Sequence, residues 1–246
     1  MTEIADLAQR KPIEIGGFIV RPNDWTAEDP KGLAKPEPAF PLPKAAALKV
    51  ATLGALRDYL KTNRDGLDLS KLIAHIESPN RVSVGSALRA PARDREIYIT
   101  AEAHDMTDGF VGKYHSSEDF NIGLQVRFVD MDQRAALLDV VSSVKTEQSA
   151  AALDNGVTQT LEARHGAVLK SHQTLPNPVT LTPFRTFRDI MQPSSVFVLR
   201  AKAEQGQLPS LALLEADGGT WKLSAIQRIK DWLDTELKDL NIAVLA

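Results

Sequence analysis

Between Pro12 and Pro43 the chain places seven of its fourteen prolines, a density that no helix survives. Each proline fixes φ, removes a backbone donor and pushes the residue before it toward extended geometry. The run from Lys35 to Pro43, with prolines at 36, 38, 41 and 43, therefore reads as polyproline-like. The same stretch carries Phe18, Ile19, Val20, Trp25, Leu33 and Phe40, more apolar anchors than a solvated linker uses. We read residues 1–47 as an extended arm lying on a surface, either its own domain or a neighbouring subunit. A stiff arm is cheap to order. If the surface is a neighbour's, the protein is a homo-oligomer and Phe18, Trp25 and Phe40 are contacts that hold it together.

The remaining length is ample for a hydrophobic core, and 43% hydrophobic with 25% charged residues is the mixture of a folded chain rather than a disordered one. A formal net charge of -3 gives no general attraction to phosphate, so a nucleic-acid partner would need a local basic face. The absence of cysteine excludes disulfides and thiolate zinc sites and fits a cytoplasmic setting better than a secreted one. Glu3 and Asp6 interrupt the N-terminal apolar residues, so no signal peptide is expected. No apolar stretch approaches bilayer length, and no membrane partner is expected.

Past the arm, Leu53, Leu56 and Leu60 make one helical face that Thr52 caps and that ends near Asn63 to Gly66. Ile73–Ile76, Arg81–Leu88 and Glu96–Ala103 read as a small antiparallel meander. Ser116 and Ser117 open a helix over Phe120, Leu124 and Phe128. A further helix over Leu137, Leu138, Val141 and Val144 stops at Gly156. Strands are expected at Val157–Arg164, Ala167–His172, Val179–Phe187, Ser195–Ala203 and Ser210–Ala216. In Ser195–Ala203 both alternating faces are largely apolar, so Val196, Phe197, Val198 and Leu199 should all be buried in a central strand. Ser224 and Gln227 form a capping box for a last helix with Ile226, Ile229, Leu233, Leu237 and Leu240 on one stripe. The fold class is α+β: mostly antiparallel sheets, about four helices and the proline-rich arm. The main domain, 48–246, divides into a helix and meander region at 48–156 and a β-rich region with a C-terminal helix at 157–246.

Catalytic signatures are sparse. Gly109-Phe110-Val111-Gly112-Lys113 has the wrong glycine spacing for a phosphate loop, and Tyr114 follows where that loop needs the short aliphatic hydroxyl of Ser or Thr. The histidines, at 75, 104, 115, 165 and 172, form no metal-binding spacing. Glu215, Asp217 and Lys222 have the residue types of a Mg²⁺-dependent nuclease, but Gly218-Gly219 between them reads as a hairpin tip with solvated charges. Arg185, Arg188, Arg200 and Lys202, interleaved with Phe184, Phe187 and Phe197, are the candidate face for nucleic acid or a nucleotide. The competing reading puts the rings in the core and the cations at its rim. No cofactor is implied.

The run Asn177-Pro178-Val179-Thr180-Leu181-Thr182-Pro183-Phe184-Arg185-Thr186-Phe187, then Gln192-Pro193 and Ser195-Val196-Phe197-Val198-Leu199-Arg200, resembles the YfdQ-like family of phage and prophage proteins. Gly66-Leu67-Asp68-Leu69, Glu118-Asp119-Phe120-Asn121-Ile122 and Glu215-Ala216-Asp217-Gly218-Gly219-Thr220-Trp221 are similar to it as well, so the likeness runs from about Leu48 to Leu233. It implies a phage-related origin and carries no activity or catalytic residue. The expected function is non-enzymatic self-assembly, with a phage-shell-like architecture as one form. The alternative is an accessory of phage nucleic-acid metabolism, binding DNA, RNA or another phage or host protein.

Overall fold

A computed structural model of the chain describes residues 13–15, 18–20, 37–38, 45–89, 93–145, 150–154, 159–165, 168–174, 176–202 and 209–246. The chain divides into two compact units, Met1–Ala46 and Ala47–Ala246. In the first, β1 (Ile13–Ile15), β2 (Phe18–Val20) and β3 (Glu37–Pro38) form an antiparallel sheet in the order β1-β2-β3. Phe18 pairs with Pro38 and Ile19 with Glu37. These short strands are themselves extended backbone, and Glu37–Pro38, inside the run expected to be polyproline-like, is paired as a strand.

The second unit runs β4 (Leu48–Val50), α1 (Leu53–Thr62), β5 (Leu72–Ser78), β6 (Arg81–Ser86), β7 (Ile97–Glu102), β8 (His115–Ser116), α2 (Ser117–Arg127) and α3 (Arg134–Lys145). It continues through β9 (Ala150–Asp154), β10 (Gln159–His165), β11 (Val168–Thr174), β12 (Val179–Leu181), β13 (Ser195–Lys202), β14 (Ser210–Glu215), α4 (Thr220–Glu236) and β15 (Ala243–Leu245). These four helices and largely antiparallel sheets make the fold α+β. Among the described residues no helix is long and apolar enough to cross a membrane.

The expected meander is the middle of a five-stranded sheet, β15-β5-β6-β7-β4, in which the two outer strands run parallel to their neighbours. Its inner face, with Leu72, Ala74, Ile76, Val82, Val84, Ile99 and Ala101 buried, is covered by α1 through Leu53, Leu56 and Leu60 and by α4 through Ile229 and Leu233. Full burial of such side chains contributes about 1.5–3 kcal/mol each. Thr52 caps α1 as expected, its Oγ1 accepting from Ala55 N at 3.1 Å, and Asn63, at φ 39°, ends it.

The second core lies under the sheet β12-β13-β14-β8, covered on one face by α2 and α3 through Phe120, Leu124, Leu137 and Val141. Ser116 caps α2, as expected. Phe110 reaches this core because Gly123 has no side chain; any Cβ there would overlap the Phe110 ring. The two cores do not follow the expected division at residue 156. The first joins residues 50–103 to Phe187 and the C-terminal helix, and the second joins residues 110–141 to residues 179–213.

Five further expectations are corrected. The helix after Asp130 ends at Lys145 rather than Gly156, and Ala150–Asp154 instead pairs with β10 as a strand. The strand from Val179 stops at Leu181, since Pro183 brings no N–H to the ladder, and Phe187 lies in the other core. Interior strand β13 buries Phe197, Leu199 and Ala201 on the helix-covered side, while Val196 and Val198 on the opposite side are half-buried. Among the described residues, α2 and α3 pack on the side of Phe197 and Leu199. Gly218 and Gly219, at φ 64° and 79°, turn the chain from β14 directly into α4, so they are not a hairpin tip. Helix α4 therefore starts at Thr220, which leaves Ser224 and Gln227 inside it and forms no capping box. Ser224 Oγ donates to Thr220 O, and Gln227 Nε2 to Asp231 at 2.8 Å.

Candidate functional site

Three of the charged groups singled out in the sequence meet where the loop after β12, the start of β13, the end of β14 and the first turn of α4 converge. Gln192 shapes the loop: its Oε1 accepts from Arg185 N at 3.1 Å and Thr186 N at 3.2 Å, and its Nε2 donates to Phe187 O at 2.8 Å. That turns the Arg185 side chain inward, where only 3% of the residue is exposed.

The guanidinium donates from Nη1 to Glu215 Oε1 at 2.5 Å and from Nη2 to Ser195 Oγ, and it lies 3.8 Å above the Trp221 ring. Ser195 Oγ in turn donates to Asp217, whose other oxygen accepts from Gly219 N at 2.9 Å. Burial pulls the Arg185 pKa below its ordinary value, while the hydrogen bond to Glu215 and the nearby charges of Asp217 and Asp105 pull it up. An arginine stays protonated across any accessible pH, so the group is a permanent buried cation.

Chemically this is a clamp. Glu215 Oε1 accepts from Arg185, Asp217 accepts from Ser195 on one oxygen and from Gly219 on the other, and Lys222 Nζ sits 6.0 Å from the Trp221 ring centroid. Among the described residues no three His, Asp or Glu side chains are grouped to hold a metal ion. Among the described residues, Arg185 Nε and Trp221 Nε1 are buried donors without a protein acceptor.

The four cations proposed as one face are not brought together with the rings as one platform. Arg185 is buried in the clamp, whereas Arg188 is exposed with its guanidinium 3.7 Å over Phe184. Arg200 is half-buried and Lys202 exposed, on strand β13. Phe197 belongs to the core under β13 and Phe187 to the core under the five-stranded sheet. The proposed arm contacts Trp25 and Phe40 lie outside the described residues; Phe18 lies in β2.

A second hollow, lined by Asp189, Ile190, Met191, Arg228, Trp232 and Glu236, has its charges used internally. Asp189 accepts from Leu53 N at 3.1 Å and Gly54 N at 2.9 Å, supplying the start of α1 with an anion. Glu236 pairs with Arg57 and Lys61, both at 3.3 Å, and Arg228 donates to the carbonyls of Met191 and Gln192. Sequence reasoning missed Asp189, Gln192 and Trp221. Asp189 lies 136 residues from Leu53, and nothing local signals that contact. Buried Gln192 and stacked Trp221 had a weak signal in the quoted family-like motifs alone. Scans against protein-family models, curated proteins and solved structures found no match to this chain.

Proposed function

We propose that this is a phage-related protein that acts without catalysis, by assembling with copies of itself. The observation that carries the reading is the separateness of the N-terminal 46 residues. They form their own compact unit, while both described cores of the second unit are built from residues between Val50 and Val244. The assembly reading assigns Phe18, in β2, together with Trp25 and Phe40, which lie outside the described residues, to contacts between subunits. At about 25 cal/mol per Å² of buried apolar area, three such anchors contribute several kcal/mol per subunit contact. The commitment of Glu215 and Asp217 to Arg185, Ser195 and Gly219 supports a structural rather than a nucleolytic role for that cluster. A phage-shell-like assembly is one form of this reading, by fold-level analogy alone.

Light scattering of the full chain and of a variant lacking residues 1–43 tests this. The full chain should have the mass of an oligomer, and the deletion should lower it while keeping most of the circular-dichroism signal. A monomeric full chain at tens of micromolar, or a deletion that keeps the full mass, overturns the reading. A monomer that shifts single-stranded DNA in a salt-dependent way would replace it with nucleic-acid binding.

A further inference from the structure

We infer that the outer face of the five-stranded sheet binds a small monocarboxylate with a compact apolar body, a molecule of the size and chemistry of benzoate. The inference is independent of the assembly reading above and adds a ligand site to it.

Strand alternation builds the site. Ala74 and Ile76 of β5 and Val82 and Val84 of β6 belong to the core, so Ile73, His75, Ser83 and Gly85 stand on the opposite face. Two cross-strand rows result. One joins Ala243, Ile73, Gly85 and Ile97, and the next, about 7 Å further along the strands, joins Leu245, His75 and Ser83. A Cβ on Gly85 would lie 2.8 Å from Glu96 O and 2.9 Å from Ile97 Cδ1, so the glycine lets the Ile97 side chain close over this point. The result is a hollow of about 210 Å³ whose apolar lining is Ile73, Gly85, Ile97 and Leu245. A cavity of about 150 Å³ holds benzene, so this one has the volume for an aromatic ring that carries a carboxylate.

The polar lining sets the chemistry of the ligand. Ser83 is 5% exposed and lines the hollow, and among the described residues its hydroxyl has no hydrogen-bond partner. A buried hydroxyl left unpaired is costly, and a ligand oxygen in the hollow removes that cost. Arg95 lines the same hollow and donates from Nη1 to Ser86 O at 3.2 Å, which fixes the guanidinium there. Among the described residues it pairs with no carboxylate, so its Nε–Nη2 edge is left for a planar carboxylate held by two parallel hydrogen bonds. His75, beside Ser83 on the adjacent strand, adds a ring nitrogen that also has no described partner. One cation matches one negative charge. A phosphate dianion would leave a charge unmatched against apolar walls, and a neutral apolar molecule would leave Ser83 unpaired.

Ligand-detected NMR on the full chain, with benzoate as the probe, tests the site. Benzoate should bind saturably with a Kd of about 1 mM or below. Benzamide, which keeps the shape and loses the charge, should bind about tenfold more weakly or worse. Arg95→Met should weaken benzoate by a similar factor, and Ser83→Ala by about threefold. Absence of saturable binding up to about 10 mM overturns the inference. So does benzamide binding as tightly as benzoate, or inorganic phosphate displacing benzoate at equal concentration. Unchanged affinity in Arg95→Met with a wild-type circular-dichroism spectrum overturns it as well. If that variant misfolds, unchanged affinity in Ser83→Ala, which removes a hydroxyl with no described partner to lose, does the same. Light scattering judges the assembly reading separately, whichever way benzoate behaves.

Discussion

Replacing Arg185 with methionine removes the buried cation of the clamp while keeping most of the side chain's volume. The loss has two parts. Breaking a buried ion pair from one side costs about 3–5 kcal/mol, because the surviving charge is left without compensation. Here the Glu215 side chain keeps 30% of its exposure, so water screens part of that cost and the lower end applies. Stacking of a desolvated cation on an indole contributes up to about 2 kcal/mol, and the thioether of the replacement, packed on Trp221, would recover part of it. Arg185→Met should therefore destabilise by about 3–4 kcal/mol. For a chain of this size that is a melting-temperature drop of roughly 6–16 °C. Glu215→Gln alone should also destabilise, since it leaves the 3%-exposed guanidinium short of its nearest anion. The double variant Arg185→Met/Glu215→Gln is the decisive measurement. With no buried charge left unpaired between these two positions, its cost should fall at least about 1 kcal/mol short of the sum of the single costs in urea denaturation. Additivity within about 0.5 kcal/mol would mean that the two side chains do not act as a pair, and the clamp would be wrong.

Three further outcomes follow from the packing. Gly123→Ala drives a methyl into the Phe110 ring and should cost at least about 2 kcal/mol, with Phe110→Leu relieving part of it; a neutral Gly123→Ala would refute the contact. Asp189→Ala strips the side-chain acceptor from Leu53 N and Gly54 N and should cost about 1–2 kcal/mol at unchanged denaturant slope, whereas a shift under about 0.3 kcal/mol would show that Thr52 caps α1 unaided. Burial and the hydrogen bond to Asp65 push the Tyr59 pKa up to about 12, so the folded state holds a proton that the unfolded chain releases near pH 10. The associated stability is present below about pH 10 and falls as pH rises toward 12. In Tyr59→Phe that alkaline fall should be shallower than in wild type, and an identical pH profile would exclude the assignment.

Where structure depends on neighbours in the chain, the sequence guided several elements, although the local signals at Gly218-Gly219 and Ser224 misled. The three-and-four spacing of Leu53, Leu56 and Leu60, the Thr52 and Ser116 caps, and the strand runs around Ser78-Pro79-Asn80 all recur as α1, α2 and the β5 to β7 meander. Periods and caps are short-range, so they are written in order along the chain. The tertiary structure alone decided the parallel pairing of Ala243–Leu245 with Ile73–His75, which joins segments about 170 residues apart and leaves no period to read. It also decided which face of Ser195–Lys202 meets helices. An alternating apolar pattern reports that a strand lies in a sheet, not how many layers cover it. Arg185 is the sharpest case. Its neighbours Phe184 and Phe187 suggested a cationic, aromatic surface, but the cost of burying its charge is offset by Glu215 and Trp221, 30 and 36 positions away. A charge goes inside only where distant partners meet it, and that meeting exists only once the chain has folded.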